Sequence, residues 1–337
     1  MTLTPSPRGV AVVTGGTAGL GRAIVRELAS NGWDVAVLAR GHEGLAATVE
    51  DARELGVRAM SVSVDVADGK AVDDAATEVE ATLGPIELWV NDAMVGVFGE
   101  FLSTDPADFE RATYVNYFGF VNGTRAALSR MVPRDRGHVI QIGSALAHRG
   151  IPLQAAYCGA KHAVMGFTDS VTSELLHAKS NVAISTVDMP ALNTIQFNWV
   201  KSQLPGHPQP VPPIYEPEVG AVAVADVADT PRRRTWVGEP TIGTILGNRV
   251  STRALDWFLA RTGYDGQQAP EKTEAMWPNN LREPVEGDHG ARGIFSDRAW
   301  SASPATWAIG HRKTATAIGG AVGIAAATAV VALLKRR

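Results

Sequence analysis

Cysteine is almost absent from this sequence. Cys158 stands alone among 337 residues, which excludes a disulfide within the chain. It falls in a segment with helical periodicity, so we expect a small buried side chain there. A basic surplus is missing too, because 31 lysines and arginines face 35 aspartates and glutamates, for a net charge of −4. Since nucleic-acid binding relies on basic patches that neutralise phosphates, no nucleic-acid partner is predicted, and no metal site is predicted either.

The chain also lacks an apolar stretch near its first residue. Residues 1–9 run into a predicted strand without the hydrophobic region of a secretory signal, which makes the cytoplasm the expected compartment. A charge-free stretch at 314–334 would span about 31 Å as a helix, enough for a bilayer core. Basic residues on both sides favour a membrane anchor. Its many alanines and the distal Lys335-Arg336-Arg337 favour a helix lying on a membrane or on a partner, so both interpretations stay open.

Between these ends, short apolar runs alternate with segments of helical periodicity. The runs predict strands at 10–14, 34–39, 58–64, 88–91, 138–142, 182–187 and 235–238. Strands that are apolar almost throughout suit a parallel sheet covered by helices on both faces, which is a Rossmann-type doubly wound α/β fold. We expect this domain over 8–240, an irregular extension or linker over 241–313, and the candidate membrane helix at 314–334.

The periodicity of apolar residues also predicts two helices, each as one continuous element. The apolar period over 106–131 predicts one long helix, and that over 247–262 predicts one amphipathic helix. Ligands of a doubly wound sheet bind at the carboxyl ends of its strands, so we expect functional residues there.

Glycines cluster directly after the first strand, in Thr14-Gly15-Gly16-Thr17-Ala18-Gly19-Leu20-Gly21. A pyrophosphate bound at a helix N-terminus needs backbone without Cβ obstruction, and this loop meets that need. The spacing Thr-Gly-x-x-x-Gly-x-Gly resembles the compact single-domain branch of the short-chain dehydrogenase/reductase family, over about residues 8–240. The resemblance implies a nicotinamide cofactor, with contacts from Thr14, Gly15, Thr17, Gly19, Leu20 and Gly21.

The resemblance extends to three further strand ends. Asp65 and Val66 resemble the family residues on the adenine side of the cofactor. Asn91, in Asn91-Asp92-Ala93-Met94, resembles the first residue of the family's Asn-Asn-Ala-Gly motif, which steadies the central sheet beside the cofactor; this sequence departs at the second and fourth positions. Pro190 and Thr194 resemble the Pro-Gly-x-x-x-Thr segment near the nicotinamide, with Ala191 in place of the glycine.

The end of the second strand decides between the two nicotinamide cofactors. An acid there would bind the ribose 2′-hydroxyl of NAD, whereas an arginine accommodates the 2′-phosphate of NADP. Ala39 stands where the acid would be, and Arg40 follows it. NADP(H) is therefore predicted over NAD(H), unless Arg40 is a solvated surface residue.

Tyr157 and Lys161 lie four residues apart on a predicted helix and so share a face. A nearby ammonium favours the phenolate, which would bring the tyrosine into range as an acid or base. Alone, this spacing arises readily by chance. Ser144, otherwise a common turn residue, lies thirteen residues upstream of Tyr157 at a strand end. With Asn116, which resembles the family asparagine that holds a water near the lysine, these residues form the family's catalytic tetrad in order.

The sequence thus predicts an NADP(H)-dependent oxidoreductase that interconverts a carbonyl and a secondary alcohol, with Tyr157 as the acid and base. The segment 195–215 is rich in proline and aromatic residues, which favours a lipophilic substrate, although it is also typical of a lid that carries no such information. The alternatives are a catalytically silent dinucleotide-binding scaffold or sensor tethered to a membrane, and a protein whose main role is assembly through its tail. The resemblance also implies a homo-oligomer, paired through the helices ending at Met131 and Ala178.

Overall fold

The structure is a computed structural model that describes residues 4–272 and 278–311. Its strands are β1 (Val10–Thr14), β2 (Asp34–Ala39), β3 (Ala59–Ser63), β4 (Ile86–Asn91), β5 (Val97–Phe98), β6 (His138–Ser144), β7 (Ala183–Met189), β8 (Lys201–Ser202), β9 (Gly206–Pro208), β10 (Ile214–Tyr215), β11 (Arg234–Trp236), β12 (Gln268–Lys272) and β13 (Ala299–Trp300). Seven of them form one parallel sheet in the order β3-β2-β1-β4-β6-β7-β11. This arrangement confirms the predicted Rossmann-type fold.

Helices cover both faces of this sheet. They are α1 (Gly19–Ser30), α2 (His42–Glu54), α3 (Gly69–Thr82), α4 (Pro106–Thr113), α5 (Gly119–Met131), α6 (Ala155–His177), α7 (Gln196–Trp199), α8 (Pro217–Asp229), α9 (Glu239–Val250), α10 (Thr252–Thr262) and α11 (Pro304–Gly310). Alternate residues of β1 face opposite sides, so Ala11 and Val13 join one buried cluster while Val10 and Val12 join the other. Strands buried on both faces explain the unbroken apolar runs in the sequence.

The helix predicted over 106–131 is not uniform. It consists of α4, a π-helical turn over Tyr114–Phe118, and α5. A π turn inserts an extra residue into the helix, which a period of 3.6 residues does not reveal. The turn holds Asn116, whose side chain is fully buried.

The chain after β11 packs back onto the domain. The single helix predicted over 247–262 is wrong: α9 and α10 meet at Ser251, whose hydroxyl accepts a hydrogen bond from the Ala254 amide and so begins a new helix. Further on, β12 pairs with β9 and β13 pairs with β10. These short ladders join the C-terminal part of the chain to the segment that follows β7.

Asn193 ties the same two parts together. Its Oδ1 accepts from the Phe295 amide at 3.0 Å, and its Nδ2 donates to the Glu216 carboxylate at 3.0 Å and to the Ser296 hydroxyl at 2.9 Å. Within residues 4–272 and 278–311, no helix has the length and apolarity to cross a membrane. The candidate anchor at 314–334 lies outside the described residues.

Candidate active site

A cleft runs along the carboxyl ends of the sheet strands. Its volume is about 710 Å³, and one continuous surface joins the glycine loop after β1, the ends of β2 and β3, and the tyrosine of α6. This volume lies in the range of ligand pockets, and the position matches the strand-end site expected for the fold.

The glycine loop is shaped by two positions where a side chain would not fit. Gly15 has φ +73°, and a Cβ there would lie 2.6 Å from the Ala93 Cα. A Cβ on Gly21 would lie 2.3 Å from the Gly15 carbonyl oxygen. Bare backbone thus begins α1 at the edge of the cleft, where the amide end of a helix suits a phosphate group. The loop fits a dinucleotide pyrophosphate.

Most of the residues predicted to bind a cofactor line this cleft. They are Gly15, Thr17, Gly19, Leu20, Arg40, Asp65, Val66, Pro190 and Thr194, and the catalytic candidates Ser144, Tyr157 and Lys161 line the cleft as well. Thr14, Gly21, Asn91 and Asn116 lie behind the lining and support it. The Thr14 hydroxyl accepts from the amides of Asp92 and Ala93, at 3.0 and 3.2 Å, so it positions the loop that follows β4.

Ser144 and Tyr157 meet at the centre of the cleft. Ser144 ends β6, and Tyr157 lies in the first turn of α6. Burial raises the pKa of the Tyr157 phenol, and the hydrogen bond from the Ser144 hydroxyl acts in the opposite direction. Lys161 makes no resolved contribution to lowering the Tyr157 pKa, contrary to the expectation from the sequence, so burial dominates and the phenol keeps its proton at neutral pH.

Lys161 lies beneath the tyrosine and is almost fully buried. Its Nζ donates to the Ile142 carbonyl at 2.7 Å and lies 4.2 Å from the centre of the Phe120 ring and 5.6 Å from that of Tyr157. Burial lowers the pKa of Lys161, and the negative charges of Asp92 and Asp188 raise it. Two carboxylates therefore help to keep this ammonium charged.

Asp92 is the site residue that the sequence analysis did not assign. Burial raises its pKa, whereas the Lys161 charge and a hydrogen bond from the Gly21 amide lower it. Its carboxylate thus joins the start of α1 to the lysine. The departure from Asn-Asn-Ala-Gly at this position was the only indication in the sequence, and it gave no hint that the acid lies close enough to Lys161 to affect its pKa.

At the other end of the cleft, Arg40 and Asp65 have partners within the protein. The Arg40 guanidinium donates to the carbonyls of Asn280 and Arg282, at 2.5 and 2.7 Å. Asp65 accepts from the Arg111 guanidinium at 2.5 Å. Arg40 is therefore not simply a solvated side chain, because two of its five N–H groups bind these carbonyls.

Asn116 is held in place by the loop after β4. Its Oδ1 accepts from the Val95 amide at 2.9 Å and its Nδ2 donates to the Val95 carbonyl at 2.8 Å. The side chain thus satisfies two buried backbone groups that have no ladder partner. A role of Asn116 in holding a water near the lysine stays a prediction.

Apolar side chains surround the half of the cleft beyond the tyrosine. They include Met94, Val95, Phe98, Ile151, Met189, Phe197, Trp199, Val200, Leu255, Phe258 and Leu259. His148 does not line the cleft, and its Nε2 pairs with the Asp188 carboxylate at 2.8 Å. The segment after β7 and helix α10 contribute much of this apolar wall.

Comparisons with known proteins agree with this geometry. The family model described as short chain dehydrogenase matches residues 9–203. The chain is 30% identical over 278 residues to the oxidoreductase YxnA of Bacillus subtilis, covering 81% of this chain and 76% of that protein. Among solved structures, a short-chain dehydrogenase from Streptomyces avermitilis is similar with a TM-score of 0.64 and 26% identity, over 78% of this chain and 99% of its own. A metagenomic short-chain oxidoreductase solved in complex with NADP has a TM-score of 0.57 and 30% identity, over 68% of this chain and 95% of its own.

Proposed function

The chain belongs to the short-chain dehydrogenase/reductase family, and we propose that it is an NADP(H)-dependent oxidoreductase interconverting a carbonyl and a secondary alcohol on a lipophilic substrate. One observation carries this proposal: Ser144, Tyr157 and Lys161 line the same cleft as the glycine loop. A hydroxyl pair beside a buried ammonium can bind and protonate a carbonyl oxygen, which a binding scaffold does not require.

The proton chemistry follows from the state of Tyr157. Because its phenol keeps its proton at neutral pH, it can donate that proton to a carbonyl oxygen, while Ser144 donates a hydrogen bond to the same oxygen. A bound nicotinamide supplies the hydride for this reduction, or accepts it in the reverse direction. Lys161 would hold the nicotinamide ribose and stabilise the phenolate that forms when the proton leaves.

The apolar wall beyond the tyrosine supports a lipophilic substrate. Aliphatic and aromatic side chains from several segments of the chain face that half of the cleft, and few charged groups accompany them. Transfer of apolar surface from water into such a lining is favourable, at about 25 cal/mol per Å². A ketone or alcohol with a large hydrocarbon body fits this chemistry better than a small polar one.

We predict that Arg40→Ala reduces the preference for NADPH over NADH by roughly tenfold or more, because a charge-assisted contact to the 2′-phosphate is lost. Equilibrium binding of both cofactors to the full-length protein, followed by fluorescence, measures the ratio. Arg40 also binds two backbone carbonyls, so the variant could weaken both cofactors together.

The ratio of the NADPH and NADH affinities distinguishes between these two roles of Arg40. A contact to the 2′-phosphate affects NADPH alone, whereas a purely structural contact changes both affinities equally and leaves their ratio intact. Arg26→Ala, at an exposed arginine of α1 that pairs with Asp51, is the matched control. An unchanged ratio in Arg40→Ala would remove the basis for NADP(H) and return NAD(H) to equal standing.

A second prediction concerns pH. Asp92 raises the pKa of Lys161, so Asp92→Asn should lower that pKa further. Lys161 then loses its charge at a lower pH, and the basic limb of the kcat/KM profile should move to lower pH. The asparagine restores the residue type of the family motif and can still accept from the Gly21 amide, so the fold should tolerate it.

The matched control is Asp74→Asn, an exposed carboxylate that pairs with Lys70 on α3. Its profile should coincide with that of the unmodified enzyme for the same ketone. A basic limb that stays in place in Asp92→Asn, or moves to higher pH, would contradict the electrostatic role of Asp92.

A further inference from the structure

A segment of the C-terminal extension crosses the whole length of the cleft. We call residues 279–293 the strap. It contains no helix or strand of its own and is held by contacts to three places in the domain: the end of β2, the glycine loop and the segment after β7. These are the places where a dinucleotide's adenosine, pyrophosphate and nicotinamide would bind.

At the β2 end, the strap is anchored by carbonyl groups and one buried side chain. Arg40 donates to the carbonyls of Asn280 and Arg282, and Arg111 donates to the carbonyl of Leu281 at 3.0 Å. The Leu281 side chain is 1% exposed and packs into the apolar cluster on that face of the sheet. The strap is thus fixed beside the position expected for the adenosine ribose.

In its middle, the strap contacts the glycine loop directly. The Gly19 amide donates to the Gly290 carbonyl at 3.0 Å. The Asp288 carboxylate lies 3.4 Å from the buried Arg22 guanidinium, and the His289 ring meets Trp199 edge-on at 4.7 Å. At the far end, an isolated antiparallel β-bridge joins Arg292 to Thr194, and the Gly293 amide donates to the Asn193 carbonyl at 3.0 Å.

The strap borders the cleft without filling it. The strap lines the same 710 Å³ volume as the glycine loop, through Asn280, Pro284, Val285, Gly287 and His289. A ligand in that volume would be enclosed between loop and strap. Movement of the strap away from that volume would break several hydrogen bonds to its backbone together.

We propose that the strap is the outer wall of the dinucleotide site and must open each time the dinucleotide binds or leaves. The inference rests on the proposed function, since it takes the cleft as a dinucleotide site. It assigns to the C-terminal extension a part of cofactor binding, with Arg40 and Gly19 as the points where the strap closes on the domain.

A reversible lock tests this proposal. A Cβ built on Gly41 would lie 3.4 Å from the Pro284 Cβ, close to the 3.5–4.5 Å range typical of disulfides. The double variant Gly41→Cys with Pro284→Cys can therefore fix the strap to the domain when oxidised glutathione is added, and dithiothreitol releases it. The native Cys158 is buried and should not take part.

The measurement is the rate of NADPH and NADH binding and release by the full-length protein, followed by stopped-flow fluorescence. When oxidised before loading, the variant should bind at least about tenfold more slowly than the same sample after reduction; when oxidised after loading, it should release at least about tenfold more slowly. The two single-cysteine variants, treated identically, should show no such change. A thiol titration verifies the bond.

Equal rates in the oxidised and reduced double variant would overturn the strap proposal and leave the proposed function intact. Failure of the unmodified protein and of the reduced variant to bind either dinucleotide would overturn the proposed function, and the strap proposal with it. If the bond does not form, Arg282→Ala decides: it removes the contact to Asp108 at 3.0 Å and should speed release severalfold. Arg298→Ala, in the same extension but beyond the strap, should not change the rate of dinucleotide release. Equal release rates in Arg282→Ala and Arg298→Ala would contradict the proposal.

Discussion

Tyr157→Phe is expected to reduce turnover by roughly 10³-fold, because it removes the proton donor and leaves the ring in place. Tyr157 is partly buried and hydrogen-bonded to Ser144, so the phenylalanine ring can keep its packing while the carbonyl oxygen loses its proton source. Dinucleotide binding should persist, since the glycine loop is untouched. Steady-state reduction of a panel of hydrophobic ketones, together with NADPH titration, measures both effects.

Tyr114→Phe serves as the matched control, because its ring is 44% exposed and stacks on Phe118 away from the cleft. It should retain full activity. A Tyr157→Phe enzyme that turns over normally would refute the assignment of the acid. If the unmodified protein binds a dinucleotide and yet reduces or oxidises no member of the panel, the silent scaffold becomes the better interpretation.

Asn91→Leu is expected to lower the free energy of unfolding by about 2–5 kcal/mol, because it leaves several buried polar groups without partners. The Asn91 Oδ1 accepts from the Trp89 indole at 2.8 Å, and its Nδ2 donates to the Gln141 Oε1 at 2.9 Å and to the Thr124 hydroxyl at 3.2 Å. These bonds connect β4 with β6 and α5. Urea unfolding followed by circular dichroism measures the loss.

The control for Asn91→Leu is the same exchange at Asn31, an exposed residue at the end of α1. There we expect a change within about 1 kcal/mol, because water can replace the lost bonds. Equal effects at the two positions would show that the buried amide network contributes no stability of its own. The network explains why Asn91 can matter to the site without lining the cleft.

The sheet could be predicted because its information is local. Each strand is a short apolar run whose burial on both faces leaves a direct trace in the sequence, as at Val10–Thr14 and Ala183–Met189. The π turn in Tyr114–Phe118 could not be predicted this way, since one extra residue inside an apolar helix leaves the period almost unchanged.

The site residues likewise fall into those that a local motif identifies and those that depend on distant segments. Tyr157, Lys161 and Ser144 belong to motifs whose spacing is fixed by one helix and the strand before it, so a single sequence identifies them. The neighbours of Asp92 and the partners of Arg40 come from segments far apart in the chain, as in the bonds from Arg40 to residues 280 and 282. The strap shows neither a helical nor a strand periodicity of apolar residues, because side chains and backbone groups from elsewhere in the chain hold its backbone.

Asn193 has a consequence for how this protein can change over evolution. Its amide bonds to Glu216 on one side and to the Phe295 amide and Ser296 on the other, and Asn193, Glu216 and Phe295 are buried. A descendant that lost the C-terminal extension would leave this amide half unsatisfied, and a descendant that replaced Asn193 would loosen the extension. The two should therefore be inherited or lost together, so that among relatives an asparagine here marks those lineages in which the extension closes over the domain.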